Sequence, residues 1–524
     1  MNISTFSFRN MILSMIADKD LFKLENLLID PERLNEPPED LSEYGEPNTG
    51  SWYRDALRNC CPTHKHLLLP FAFFIDELKL DKFGKLGAEV VLACCQIFKR
   101  HIRNTEACWF PLGFVEDQKN FKGTKGYVRE KKMQDYHDML KHIFREFRSI
   151  NENGRMKVDI DFQDGRGIQK DIILVPVIQY VIGDCRGNDV HCAGRKGTHS
   201  LNTPNLCRDC NIPSQQGDNP NFWCRPIKMS DIRGKSKEEL GDCSHYEIDN
   251  AWWYLNFGGC SHNINGNSPH EILHNFYLGF CDWVGRDLSF TSAANEIILE
   301  HFTRIYPFAK CQSDRNMPNL RTFFKGLSSV KSLKGTERFD RVFALWLTLM
   351  SPSLQRKLLD YKKSGQAEGG NVKNTILTLH MYIRVLEDTL MIHEWLKLKN
   401  VPKHDVTFDD DEVRNSPAHK RLVQFAQRFK DNVVLEGYRY KTTKFHQLLH
   451  TVWKILRVGS FCNIDGSIGE KMGKEWVKEM SKTTNKDRDT TSKRGFYEVT
   501  QNLSCRSSDA RVELTLKSRT IVLV

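Results

Sequence analysis

The chain has 524 residues, 40% hydrophobic and 10% aromatic, with a formal net charge of +10 and 16 cysteines. That fits a soluble globular protein of two to four domain-sized units, or one core with a large insertion. No window approaches 18 uncharged apolar residues and the N-terminus has no long apolar signal core, so neither a membrane span nor a secretory leader is expected, and the cysteines read as reduced thiols or metal ligands.

In chain order, residues 1–60 read as a helical lead-in, MILSMIADKDLFKLENLLI, then a loop broken by Pro31, Pro37, Pro38 and Pro47. LLLPFAFFID, Leu67 to Asp76, is the first strand, and GAEVVLACCQIF (Gly87 to Phe98) and CWFPLGFV (Cys108 to Val115) are the second and third. Their short connections suit antiparallel pairing. Lys131 to Ser149 is an amphipathic helix with Met139, Leu140, Ile143, Phe144 and Phe147 on its apolar side. IILVPVIQYVIGD follows as a fourth, buried strand ending at Asp184. Strand, strand, strand, helix, strand predicts a mixed sheet with helices packed on it. Residues 185–265 are irregular and rich in Cys, His, Gly, Pro and Asn. From Ser268 to about Arg457 the pattern is helical, clearest in ANEIILEHFTRIY, FDRVFALWLTLM, NTILTLHMYIRVLEDTLMIHEWLKL and HKRLVQFAQRFKDNVV, with loops at 365–371 and 408–417. The tail after Gly459 is basic and polar.

Three constellations carry chemistry. Asp76 and Asp184 end neighbouring strands, where paired carboxylates can clamp divalent cations for in-line phosphoryl transfer; taken singly, either is an ordinary strand-ending residue. Cys207-x-x-Cys210 and His446-x-x-x-His450 are two halves of a tetrahedral zinc set, since histidines four apart share a helix face. The long gap between the halves makes spacing alone weak support, and a histidine pair on a helix is more often packing. His270-Glu271-Ile272-Leu273-His274 is a literal H-E-x-x-H, a zinc-protease string when helical, but Pro269 precedes it and no third ligand is identifiable. His191, Cys192, His199, Cys224, Cys243, His245, Cys260 and His262 are raw material for a second zinc site, without a standard spacing.

FFIDELKLDKFGKLGAEVVLACC, PVIQYVIGDCRGND, LCRDC, GGCSHNINGNSPHEILH and HQLLH with NIDGSIGE are collinear over most of residues 60–500, and together resemble the transposase domain of CACTA-like cut-and-paste elements, the Plavaka-type branch in particular. That resemblance implies an α/β protein: an RNase H-like mixed-sheet core split by a large all-helical insertion, with a zinc-stapled irregular segment. It implies a catalytic acid set of Asp76, Asp184 and Glu470 holding Mg²⁺ or Mn²⁺, with Glu271 and Asp465 as rivals for the third place, and structural Zn²⁺ on Cys207, Cys210, His446 and His450. The expected boundaries are 1–60 lead-in, 61–206 first part of the core, 207–458 Cys/His-rich segment and helical insertion, and 459–524 end of the core with a basic segment. DNA, as transposon ends and target, is the expected partner. Lys474, Lys478 and Lys482 are expected to contact its phosphates, although a solvated basic face explains them equally. A homodimer or larger synaptic assembly, nuclear location and no membrane association complete the expectation. A non-cutting DNA- or protein-binding descendant is the alternative, and an HEILH metalloprotease a more distant one.

Overall fold

The computed structural model describes residues 4–39, 42–79, 87–116, 125–153, 156–184, 193–196, 203–222, 224, 226–285, 294, 296–302, 304, 335–363, 375–406, 413–433 and 440–473. Its strands are β1 (Ser4–Thr5), β2 (Glu43–Tyr44), β3 (His66–Lys79), β4 (Gly87–Cys95), β5 (Trp109–Glu116), β6 (Met156–Asp161), β7 (Ile168–Ile182) and β8 (Val401–Pro402). Six form one mixed sheet in the order β1-β5-β4-β3-β7-β6, while β2 and β8 pair separately. β3, β4 and β5 are antiparallel neighbours; β3 and β7 run parallel at the centre. Both central strands are covered on two faces, which is why LLLPFAFFI and LVPVIQYVI read as unbroken apolar runs and not as alternating patterns.

On one face, α2 (Ser51–Cys60) lays Trp52, Tyr53, Ala56 and Leu57 against Leu68, Val175 and Val177. On the other, α1 (Phe8–Ala17) and α4 (Arg145–Glu152) meet the sheet through aromatic contacts, Phe8 to Phe71 and Phe8 to Phe147 at 5.1 Å and Phe73 to Phe144 at 4.9 Å between ring centres. The helix expected at Lys131–Ser149 is two helices, α3 (Lys125–Ile143) and α4, divided at Phe144, whose ring turns into the core. The lead-in helix stops at Ala17, where Asp18 turns the chain and caps the backbone N–H groups of Asp20 and Leu21. β6 went unread in the sequence: MKVDID is short and polar because it is an edge strand paired on one side only.

The described residues of 268–458 are mostly helical, with the two-residue strand β8 among them. α5 (Gly335–Leu349), α6 (Pro352–Lys363), α7 (Thr375–Leu396) and α8 (Pro417–Asn432) surround a ten-residue π-helical segment, Ile272–Cys281, and Phe280 stacks among Phe425, Phe429 and Phe445. The chain then passes through α9 (Thr443–Gln447), a 3₁₀ turn at Leu448–His450, α10 (Thr451–Val458) and α11 (Gly466–Gly473). α10 returns the chain to the sheet: the α-carbon of Gly50, at the head of α2, sits so close to α10 that a Cβ there would lie 2.1 Å from the Arg457 carbonyl oxygen. Among the described residues, no helix is long and apolar enough to cross a membrane.

Candidate metal centres

Cys207, Cys210, His446 and His450 converge. They are buried, and their ligand atoms all lie within 4.8 Å of one another. Cys210 Sγ is 3.2 Å from His446 Nε2 and 3.4 Å from His450 Nε2, and the two Nε2 atoms are 3.1 Å apart. A zinc tetrahedron with bonds of about 2.3 Å to sulfur and about 2.0–2.1 Å to nitrogen has edges of roughly 3.3–3.8 Å. The three separations lie at or just below that range and no pair in the set exceeds 4.8 Å, a spread that small side-chain shifts would close on an ion. Although the helix tightens to 3₁₀ between the two histidines, their four-residue spacing still presents both rings to one point.

The donor chemistry fits as well. Burial pushes His446 down to about 3, leaving a neutral imidazole. Burial opposes ionisation of Cys207, but the Cys210 hydrogen bond and the charge of His450 outweigh it and hold the thiol well below its ordinary range. Burial and then Cys207 push Cys210 the other way. The protein alone thus stabilises one thiolate of the pair, and a dication is what lets both ionise. The residues between the cysteines clamp the site from behind. Asp209, fully buried, pairs with Lys454 of α10 at 2.6 Å; Lys454 Nζ also donates to the Gly266 carbonyl at 3.1 Å, and Arg208 Nε donates to the Ser268 carbonyl at 2.7 Å. Cys224 packs half-buried against this centre, a neighbour that the sequence spacing did not single out.

Asp76 and Asp184 lie at one end of the central strands. Asp76 does not end its strand as expected: β3 runs on to Lys79 because it stays paired with β4, and Asp76 sits opposite Val90. The pairing of β3 with β7 does stop near Asp76. Its register passes from Phe71–Ile178 directly to Ala72–Tyr180, so Gln179 is an extra, bulged residue, and the last pair is Phe74–Ile182. Two residues beyond that pair are Asp76 and Asp184. The bulge changes the parity of β7 within the ladder, and Asp184 lies two residues beyond its end, outside the strand. Tyr180, the residue after the bulge, donates its hydroxyl to the Asn463 carbonyl just ahead of α11. α11 lies against β3, with Gly469 so close to the Phe74 ring that a Cβ would be 2.4 Å from it. Glu470 is the next residue, 3.7 Å from His274 Nε2.

Both rivals for the third acid are occupied as helix caps. Glu271 is buried and heads the π-helical segment, its carboxylate accepting from the backbone N–H groups of Leu273 at 2.7 Å and His274 at 2.6 Å and bonding the His274 ring. Asp465 accepts from the Ser467 N–H at 3.0 Å at the start of α11. Burial alone would lower His274, but the Glu271 hydrogen bond and charge, then the charges of Glu470 and Asp184, raise it to about 9. A cationic imidazole therefore faces the acids.

HEILH does not form a helical zinc clamp. His270 and Glu271 precede the helix, and His270 turns away to Thr451 Oγ1 at 3.1 Å, its pKa pushed well down by burial and then by Lys454. Among the described residues no second cluster has ligand atoms converging as these four do, the carboxylates of Asp76, Asp184 and Glu470 included. His245 Nδ1 bonds the Cys243 carbonyl, His262 Nδ1 bonds the Ile227 carbonyl, and Cys260 Sγ lies 2.9 Å from Arg457 Nη2. His191, Cys192 and His199 lie outside the described residues, as do Lys474, Lys478 and Lys482. No protein-family model matches the chain, and no curated protein matches it.

Proposed function

We propose that this chain is a DDE-type transposase, cutting DNA and joining strands from an RNase H-like core with a structural zinc staple. What supports the reading is the surroundings of His274: Glu470 lies 3.7 Å from its Nε2, and Asp184, two residues past the point where β7 leaves β3, is near enough for its charge to act on the same ring. Carboxylates from β3, from just beyond β7 and from one packed helix are a hard, oxygen-rich set suited to Mg²⁺ or Mn²⁺. A metal pair held there would activate water or a 3′-hydroxyl and stabilise the leaving oxygen. The residues do the rest: Asp76 and Asp184 fix the floor of the site, and Glu470 closes it from above. No protein nucleophile is needed. DNA is the substrate, with nuclear location and assembly into a synaptic homodimer or larger complex following from that chemistry.

Asp184→Asn tests the reading, because it is nearly isosteric yet removes the charge a cation needs. The variant is expected to keep its zinc and its affinity for DNA while losing Mg²⁺-dependent nicking of a supercoiled plasmid. A variant that still nicks removes the acid centre from the mechanism. A wild-type chain that binds DNA and never nicks it points to a non-cutting descendant.

A further inference from the structure

The H-E-x-x-H string has no metal-binding part in this fold, yet it touches both centres. At one end, His270 bonds Thr451, the residue after the zinc-site His450. At the other, Glu271 spends both carboxylate oxygens on the first turn of the π-helical segment: Oε2 accepts from the Leu273 N–H, and Oε1 takes the His274 N–H and its ring Nδ1. With Nδ1 committed, the ring orientation is set and only Nε2 is left to act outward. Nε2 faces Glu470 at 3.7 Å, within ion-pair range. The same Glu271 meets the start of α11, where a Cβ on Gly466 would lie 3.1 Å from Glu271 Oε2. α11 is therefore contacted twice by one short segment, at Gly466 and again at Glu470, one turn apart.

We propose that His274, oriented by Glu271, is a positioning residue that holds the Glu470 carboxylate over Asp76 and Asp184. His274 Nε2 lies within ion-pair range of Glu470 Oε1. Ligating carboxylates are commonly held by such an outer partner, and losing one typically costs about 10–100-fold in metal affinity. The inference rests on the acid-centre reading above and adds to it a residue and a role.

The test uses Mn²⁺ as the probe, its binding to the zinc-loaded full chain followed by electron paramagnetic resonance, with zinc content and melting temperature recorded for every variant. Gln places an amide nitrogen near the position of Nε2, whereas Asn places one near Nδ1. His274→Gln is expected to bind Mn²⁺ close to wild type. His274→Asn, which keeps a partner for Glu271 but cannot reach Glu470, is expected to bind about 10–100-fold more weakly, with Glu470→Gln as the benchmark for complete loss of that carboxylate. Adding Glu470→Gln to His274→Asn should cost little more than Glu470→Gln alone, since both remove one interaction. Equal affinities for the Gln and Asn variants, the reverse order, or tighter binding by either would overturn the positioning role. Asp184→Asn separates this from the larger reading: if it abolishes Mn²⁺ binding while both His274 variants bind normally, only the role of His274 falls, and if wild type and Asp184→Asn bind alike, the acid centre falls and His274 with it.

Discussion

Cys207 and His450 come from stretches of chain more than two hundred residues apart, yet their side chains meet in a pocket closed to water. A buried donor set of this kind is expected to bind zinc tightly enough for metal binding and folding to be one equilibrium. Cys207→Ser and His450→Ala should each lower zinc stoichiometry, measured by atomic absorption, and melting temperature together; full zinc occupancy in both would remove this ligand set. His245 gives a second residue-scale prediction. Burial, then the charge of Arg195, push it down to about 3, against about 6.5 when unfolded. Between those values the unfolded chain binds a proton that the folded chain does not, so stability rises with pH there and is lost as pH falls from about 6.5. By pH 5 the loss from this one residue is about 2 kcal/mol. His245→Gln should therefore show a shallower fall in denaturation midpoint between pH 7 and pH 5 than wild type; parallel curves would show that His245 is not buried neutral.

At the scale of elements, a bulge and a glycine shape the end of the sheet that carries Asp76. Gln179 adds one residue to β7 and shifts the later β7 residues of the ladder by one position against β3. Gly469 lets α11 lie against the Phe74 ring. In an exposed helix, Gly→Ala gains about 1 kcal/mol in helix propensity. Here the added methyl meets a ring that is itself buried, and overpacking of that sort costs about 1–3 kcal/mol. Gly469→Ala is thus expected to lower the melting temperature and, by lifting Glu470 off the sheet, to weaken Mn²⁺ binding, while zinc content stays unchanged. A raised melting temperature would show that α11 does not pack as described. The buried Asp209–Lys454 pair acts at the same scale: removing one partner leaves a charge stranded behind the Cys/His cluster, a change that typically costs about 3–5 kcal/mol.

For the molecule as a whole, the Cys/His cluster, the HEILH segment and α10 form one continuous support running from the helical region to α2 on the sheet. His270 links it to Thr451, Lys454 to Gly266, and Gly50 fits α2 against Arg457. The DNA binding proposed above belongs to this scale too, because such affinity sums over many phosphates. Neutralising Lys474, Lys478 and Lys482 together is expected to weaken binding to DNA of any sequence. It should also flatten the salt dependence, by up to about 0.9 log units of slope for each phosphate that no longer meets a lysine. An unchanged slope in fluorescence anisotropy titrations would show those lysines to be solvated.

The amino-acid order by itself determined where the central strands lie, since LLLPFAFFI and LVPVIQYVI are too apolar for anything but a doubly covered sheet, and it determined that the second half is helical. It also marked Cys207, Cys210, His446 and His450, because metal-ligand spacing within each half is local information. It could not show β6, whose polar pattern reflects having a neighbour on one side only. Nor could it show the Gln179 bulge, because only the partner strand reveals that the register has shifted. The fate of HEILH was likewise a tertiary matter. Glu271 became a helix cap and His274 turned to Glu470 because the helix begins one residue after Glu271, and that start depends on what α10 and α11 pack against it.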